Sequence, residues 1–221
     1  RFGRTILLYA PIYLSNECHN SCLYCGFSVN NPIPRRTLNL DEIERDARIL
    51  HGQGFRHILL LTGEAPGKVG NDFIAAAAER IRPLFSSISI EVYPMETEGY
   101  KEMVDAGVDG LTIYQETYDP ELYQQLHPSG RKRDYNFRLE TPERAGEAGL
   151  RRIGIGFLLG LGNFRSEDLC GDAGPRLGGA RRDGRVHFGA DAYHGEHLRA
   201  AARKTHQHWL GHGARHPLLH G

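Results

Sequence analysis

Over its first 160 residues the sequence alternates short apolar, β-branched runs with amphipathic segments. The apolar runs, bounded by Gly, Pro or charged residues, predict five strands at residues 5–13, 57–61, 87–92, 110–114 and 153–159. The amphipathic segments predict helices at residues 41–52, 71–81, 97–106 and 141–148. Strands that alternate with helices are typical of repeated βα units, so the sequence predicts a parallel sheet.

The first predicted helix has a clear start signal. Asn39 and Glu42 stand at the spacing of a capping box, in which each side chain accepts a hydrogen bond from the other residue's backbone N–H. Ile43, Ala47 and Leu50 follow at intervals of four and three residues, which places them on one helix face. The segment is therefore predicted to pack one apolar face against the sheet.

The order of the repeats favours a barrel, because strand follows helix without any reversal. Five βα units are too few to close an eight-stranded barrel. We therefore expect an α/β fold that is a partial parallel (β/α) barrel of the TIM-like type, incomplete after the fifth strand. In such barrels the chemistry lies at the carboxyl ends of the strands.

Composition changes near residue 165. Residues 166–221 contain no Ile, 10 of the 27 Gly and eight of the 12 His, and they show no sustained period of 2 or 3.6. We expect a core at 1–165 and an atypical, poorly ordered tail at 166–221, with a helix at most around 196–209. Because the chain begins at Arg1 rather than Met, we also expect residues upstream of it.

The charge balance narrows the classes of partner. With 27 basic and 27 acidic residues the formal net charge is zero, so the electrostatic footprint of a nucleic-acid-binding protein is missing. No run approaches the ~18 to 20 apolar residues that span a bilayer. We expect a cytoplasmic protein with neither nucleic acid nor membrane as a partner.

Three of the four cysteines, Cys18, Cys22 and Cys25, lie within eight residues, directly after the first predicted strand. Cysteines this close in a cytosolic protein bind metals or catalyse more often than they form disulfides. Three thiolates can hold three corners of a cubane iron–sulfur cluster and leave the fourth iron open. A zinc ion bound by the three thiolates and His19 is the alternative, although zinc ligands usually come as two separated pairs.

The C-x3-C-x2-C spacing, with an aromatic residue before the last cysteine, resembles the radical S-adenosylmethionine (SAM) superfamily. The resemblance implies that Cys18, Cys22 and Cys25 hold a 4Fe–4S cluster whose open iron binds S-adenosylmethionine. Reductive cleavage of that cofactor then gives methionine and a 5'-deoxyadenosyl radical. In this family the cofactor supplies the chemistry, and the protein positions it and excludes water.

Three further residues match positions where the superfamily contacts S-adenosylmethionine. Glu64, after Thr62 and Gly63, resembles the segment that binds the amino group. Glu116 follows the fourth strand, where polar contacts to the ribose and methionine parts are common. Arg138 corresponds to an arginine beside the cofactor carboxylate, a group that suits a guanidinium. The alternatives are an ordinary surface residue for Glu64 and a solvated arginine at a helix start for Arg138.

A longer resemblance covers residues 2–161 and indicates the family of 2-iminoacetate synthase, the tyrosine lyase ThiH of thiamine biosynthesis. Five segments carry it: LSNEC at 14–18, YCGF at 24–27, LTGE at 61–64, YQETY at 114–118 and RLETPER at 138–144. It implies cleavage of the Cα–Cβ bond of L-tyrosine to 2-iminoacetate (dehydroglycine) and p-cresol. The implied partners are thiazole synthase (ThiG) and an external electron donor.

Two other functions remain open at this stage. The hydrogenase maturase HydG also cleaves tyrosine, but it carries an additional cluster domain, and no second cysteine triad follows here. Past residue 165 the sequence departs from the family, whose members continue with a sixth strand. A non-catalytic iron–sulfur-binding remnant is therefore the third hypothesis. We predict that Cys170, which has no neighbour at ligand spacing, is a free thiol.

Overall fold

The computed structural model describes residues 8–162 and, as a strand only, residues 185–192. Within these residues six strands form one sheet in chain order, and each neighbouring pair is parallel. The strands are β1 (Tyr9–Ser15), β2 (His57–Thr62), β3 (Ser87–Glu91), β4 (Gly110–Glu116), β5 (Arg152–Leu159) and β6 (Arg185–Ala192). The predicted α/β fold with an incomplete parallel barrel is confirmed.

The expectation that the sheet ends at the fifth strand was wrong. All eight residues of β6 pair in parallel with β5, from Arg152↔Arg185 to Leu159↔Ala192. Residues 186–192 do alternate apolar residues with His, Gly and Asp, but this short signal lies within a stretch dominated by Gly and His. The rest of the predicted tail, with Cys170 and the helix at 196–209, lies outside the described residues. The boundary at 165 stays a prediction.

Between β1 and β5, the described residues form six α-helices: α1 (Leu40–Gly52), α2 (Asn71–Ile81), α3 (Thr97–Asp105), α4 (Pro120–Leu126), α5 (Tyr135–Leu139) and α6 (Thr141–Glu147). Four of them match predicted helices. Helices α4 and α5 were not predicted from the sequence, although each has an aspartate at its N-cap. Asp119 accepts hydrogen bonds from the N–H groups of Glu121 and Leu122, and Asp134 accepts one from that of Phe137.

The core lies between one face of the sheet and the layer formed by α1, α2, α3 and α6. In β1 the alternate residues Ala10, Ile12 and Leu14 are buried in this core, as a period of two requires. The other strands and the helices contribute further buried apolar side chains to the same core: Ile43, Ala47, Ile58, Leu60, Ile74, Ile88, Ile90, Tyr100, Met103, Leu111, Ile113, Ile153 and Ile155. This packing holds the carboxyl ends of β1 to β4 at one edge of the sheet.

The predicted capping box at α1 is confirmed and can be tested. The Asn39 side chain accepts a hydrogen bond from the Glu42 N–H, and the Glu42 carboxylate accepts one from the Asn39 N–H, both at 2.9 Å. We expect Asn39→Ala to lower the free energy of unfolding by about 1 kcal/mol. Urea unfolding followed by circular dichroism measures the change. Asn39→Ser retains a capping oxygen and should stay close to the wild type, and an equal loss in both variants would contradict the capping role.

Candidate cluster and cofactor site

The cysteines lie in the loop that follows β1, at the carboxyl end of the sheet. Two backbone hydrogen bonds tie this loop to the end of β2. The His19 N–H donates to the Glu64 carbonyl oxygen at 2.9 Å, and the Gly63 N–H donates to the Ser15 carbonyl oxygen at 3.1 Å. The loop after the first strand is therefore positioned by the loop after the second.

Gly63 lets these two loops approach each other. A Cβ atom at this position would overlap the Glu17 carbonyl oxygen and would lie 3.0 Å from Cys18 Cβ. Neither atom has room to move freely, because one belongs to the backbone and the other to the start of a side chain. Glycine is needed here for close backbone approach rather than for an unusual φ angle.

A second support comes from the last residue of α4 and from residues 127–134, which connect α4 to α5. The Ser21 N–H donates to the Ser129 carbonyl oxygen at 3.2 Å, and the Leu23 N–H donates to the Leu126 carbonyl oxygen at 3.1 Å. Asn20 also contacts this segment, since its side-chain oxygen accepts a hydrogen bond from the Lys132 N–H at 3.0 Å. The cysteine loop is thus held from two sides.

The three thiols lie within electrostatic reach of one another. Burial raises the pKa of Cys22 to about 11 and also raises that of Cys25, while the ammonium group of Lys132 opposes the rise at both. Cys25 Sγ in addition accepts a hydrogen bond from the Phe27 N–H at 3.4 Å. Buried thiols of this kind become thiolates when a metal binds them.

This donor set fits a cubane cluster. Among residues 8–162, no three His, Cys, Asp or Glu side chains converge as the ligands of a single metal ion do. A cubane cluster does not require such convergence, because each thiolate binds a different iron. The zinc alternative through His19 stays a hypothesis that the metal content of the purified protein tests.

Glu64 is buried at the end of β2, with 7 % of its surface exposed, so the alternative of an ordinary surface residue was wrong. Asn20 Nδ2 donates to Glu64 Oε2 at 2.7 Å, and Arg131 Nε lies 3.9 Å from Glu64 Oε1. Asn20 therefore joins this carboxylate to the cysteine loop, in which it lies between Cys18 and Cys22.

Glu116 ends β4 in an unusual backbone conformation. Its φ is +71°, the left-handed region that residues other than glycine rarely adopt, and the pairing of β4 with β5 is irregular between Tyr114 and Glu116. Such strain is concentrated at functional sites. In this conformation Glu116 Oε1 lies 2.6 Å from Lys132 Nζ and 3.8 Å from Arg138 Nη2.

The electrostatics of Glu116 result from two opposing effects. Burial alone raises the pKa of this carboxyl group, but Lys132 and Arg138 outweigh burial, and the pKa lies below its ordinary value. Glu116 is consequently ionised at neutral pH. Its side chain is only 12 % exposed, so the two cations and the carboxylate form a largely buried charged group.

Arg138 lies on α5 with a side chain only 9 % exposed, so the alternative of a solvated arginine was wrong. Its Nε donates to the Tyr114 carbonyl oxygen at 2.7 Å, which anchors the guanidinium beside the irregular end of β4. The structure thus brings Glu116 and Arg138 together. Tyr24, the aromatic residue between Cys22 and Cys25, responds to both charges: Glu116 raises the pKa of its hydroxyl group and Arg138 lowers it.

Three residues of this site were not predicted from the sequence: Asn20, His127 and Lys132. His127 is fully buried, and its Nδ1 donates to the Tyr123 carbonyl oxygen at 2.7 Å. Its Nε2 therefore accepts a hydrogen bond from the Tyr24 hydroxyl, also at 2.7 Å. Burial lowers the pKa of His127 to about 4, so the imidazole is neutral. It anchors the aromatic residue of the cysteine motif.

A family model described as the radical SAM superfamily matches residues 12–170. The chain belongs to the radical SAM superfamily. Members of this superfamily bind a 4Fe–4S cluster and S-adenosylmethionine, and both are cofactors of this chain. The three thiols, the glycine at the loop contact and the buried charged residues fit these groups.

Two curated relatives are similar to the radical SAM core. The chain is 48 % identical over 161 residues to 2-iminoacetate synthase of Salmonella typhimurium and 46 % identical over the same length to that of Escherichia coli. Each match covers 73 % of this chain and 43 % of the relative. The chain therefore spans less than half the length of these two curated relatives.

Solved structures show the same fold. A crystal structure of HydG, a maturase of the [FeFe]-hydrogenase, superposes with a TM-score of 0.75 at 27 % identity, covering 86 % of this chain and 44 % of that one. Methylornithine synthase (PylB) superposes with a TM-score of 0.68 at 26 % identity, covering 86 % of this chain and 55 % of that one.

In the described residues, no helix is both long and apolar enough to cross a membrane.

Proposed function

We propose that this radical SAM chain is the core of a tyrosine lyase of the 2-iminoacetate synthase type. It would cleave the Cα–Cβ bond of L-tyrosine to 2-iminoacetate and p-cresol, for the thiazole ring of thiamine. The observation that carries the proposal is the 48 % identity to 2-iminoacetate synthase over 161 residues. The radical SAM family model matches residues 12–170, which contain Cys18, Cys22 and Cys25. The identities to two HydG structures are 27 % and 31 %, which favours the thiamine enzyme over the hydrogenase maturase.

Cys18, Cys22 and Cys25 are the proposed cluster ligands. When bound, the cluster and S-adenosylmethionine supply the one-electron radical chemistry. Within this chain, the buried loop contacts of Gly63 and Asn20 hold the thiols in place. Burial of Cys22, at 4 % exposure, keeps water away from that side of the site.

Glu64 and Arg138 are proposed to bind the two charged ends of the methionine part of the cofactor. A carboxylate suits the ammonium group, and a guanidinium suits the carboxylate group. Arg138 uses Nε for the Tyr114 carbonyl oxygen, so its terminal N–H groups can serve both Glu116 and a ligand. Glu116, held by Lys132, is proposed to accept hydrogen bonds from the ribose and methionine parts.

The proposed partners follow from the same resemblance. L-Tyrosine would be the substrate, an external one-electron donor would reduce the cluster, and thiazole synthase (ThiG) would receive 2-iminoacetate. A reactive imine hydrolyses in water, so direct transfer to a partner protein is chemically reasonable.

An anaerobic product assay tests the proposal. The chain is reconstituted with iron and sulfide, reduced with dithionite and incubated with S-adenosylmethionine, with and without L-tyrosine. We expect about four irons and four sulfides per chain, and tyrosine-dependent release of both 5'-deoxyadenosine and p-cresol.

The other outcomes separate the alternatives. 5'-Deoxyadenosine without p-cresol would contradict tyrosine cleavage and leave a radical SAM core with another substrate. A cluster with neither product would favour the iron–sulfur-binding remnant. Zinc without iron would contradict the cysteine assignment itself.

A further inference from the structure

Lys132 occupies a distinctive place beside the cysteine motif. Its side chain is only 14 % exposed, and its Nζ lies 2.6 Å from Glu116 Oε1. The same nitrogen lies 5.5 Å from the centre of the Tyr24 ring. In the sequence, Tyr24 stands between Cys22 and Cys25. A largely buried cation thus lies against the segment that carries two of the three proposed ligands.

The backbone of Lys132 is fixed from two directions. Its N–H donates to Asn20 Oδ1 at 3.0 Å, and its carbonyl oxygen accepts a hydrogen bond from the Tyr123 hydroxyl. Gly130, two residues earlier, has a φ of +93°, and a Cβ there would overlap the Asn20 side chain. These contacts fix the backbone of Lys132, and the ion pair with Glu116 holds its ammonium group.

The positive charge of Lys132 acts on the thiols more strongly than the negative charge of Glu116. At Cys22 and Cys25 burial is the largest influence on the pKa and raises it, and Lys132 is the next largest and lowers it. Glu116 raises both pKa values by a smaller amount. The geometry agrees with this order, because Lys132 Nζ lies 5.5 Å from the centre of the ring of Tyr24, which stands between Cys22 and Cys25.

We propose that Lys132 sets the reduction potential of the cluster by placing a buried positive charge beside it. The inference rests on the proposed assignment of Cys18, Cys22 and Cys25 as ligands, but not on tyrosine as the substrate. One electron passes from an external reductant to the cluster, which becomes more negative by one charge, and no bond forms or breaks. A nearby cation in a low-dielectric site stabilises the reduced state more than the oxidised state.

Lys132 is a positioning residue as well, because its ammonium group is 2.6 Å from Glu116 Oε1. Removing the ammonium group would leave Glu116 with Arg138 as its remaining cation, at 3.8 Å. The uncompensated part of the carboxylate charge would then also oppose reduction. The loss of the Lys132 charge and the uncompensated charge of Glu116 would both lower the reduction potential of the cluster.

The test is an anaerobic potentiometric titration of the reconstituted full chain, followed by electron paramagnetic resonance of the reduced cluster. For Lys132→Gln we expect the equilibrium constant for reduction to fall about tenfold, which corresponds to about 59 mV for a one-electron couple. Lys132→Arg retains the charge and should restore most of the potential. Arg133→Gln removes the same charge from the exposed neighbouring residue, where water screens it, and should leave the potential unchanged.

An unchanged potential in Lys132→Gln, at wild-type iron content, would overturn the inference, and so would an equal shift in Arg133→Gln. If Lys132→Gln fails to hold iron, Lys132→Met supplies an apolar side chain of similar length. Loss of iron in both would show a structural role and also overturn the inference. Failure of the wild type to assemble any cluster would remove the ligand assignment and this inference together. Loss of p-cresol alone concerns only the proposed substrate.

Discussion

Replacing Cys22 by Ala is expected to abolish cluster assembly and all turnover. Cys22 is the most buried of the three proposed ligands, and two thiolates leave a second corner of the cubane without a protein ligand. Alanine is small and apolar, so the fold should persist without the thiol. Iron and sulfide content, visible absorption after reconstitution and the release of 5'-deoxyadenosine measure the effect.

Cys170→Ala is the matched control, because it makes the same substitution at the cysteine predicted to be a free thiol. We expect this variant to keep about four irons per chain and wild-type product formation. Far-ultraviolet circular dichroism checks that both variants are folded. A Cys22→Ala protein that still binds about four irons and cleaves S-adenosylmethionine would rule out its role as a ligand.

Gly63→Ala should give the second largest effect, although the residue contacts no ligand. The added methyl group would overlap the Glu17 carbonyl oxygen, so the loop that carries Cys18 must move away from the end of β2. Forcing a methyl group into such a contact costs roughly 1 to 3 kcal/mol. We expect a lower urea midpoint for the apoprotein and a clear loss of iron after reconstitution.

Gly67→Ala provides the control within the same loop. A Cβ atom at Gly67 would meet no atom within 4 Å, and its φ lies outside the left-handed region. We expect stability within about 0.5 kcal/mol of the wild type, since alanine also restricts the unfolded chain. Equal losses of iron in the two variants would show that the contact between Gly63 and the cysteine loop has no special role.

Much of the fold could be predicted because its signals are local. The bounds of β2 to β5 and of α1 to α3 agree with the predicted ones to within two residues, since hydrophobic period and capping residues are properties of consecutive positions. The missed helices α4 and α5 are short, with seven and five residues. Their N-cap aspartates were visible, but segments this short show too little periodicity to be recognised as helices.

The candidate site could be predicted only in part. The spacing of Cys18, Cys22 and Cys25 identifies the chemistry, because three thiolates on one loop suit a cubane cluster with an open iron. Lys132 stands in an Arg-Lys-Arg run, which in isolation is typical of a solvated surface. Lys132 is held by Glu116, which lies 16 positions earlier in the sequence. A local sequence pattern cannot predict a contact between residues that far apart.

The amino-acid order alone was enough for the βα repeat, the capping box of α1 and the cysteine triad, because neighbouring residues create each of these features. Folding was needed to join Asn20 to Glu64 and to Lys132, across 44 and 112 positions. It was also needed to press the cysteine loop against Gly63 and to twist Glu116 into a positive φ. These contacts form only when packing of the sheet against its helices brings the carboxyl ends of separate strands to one edge.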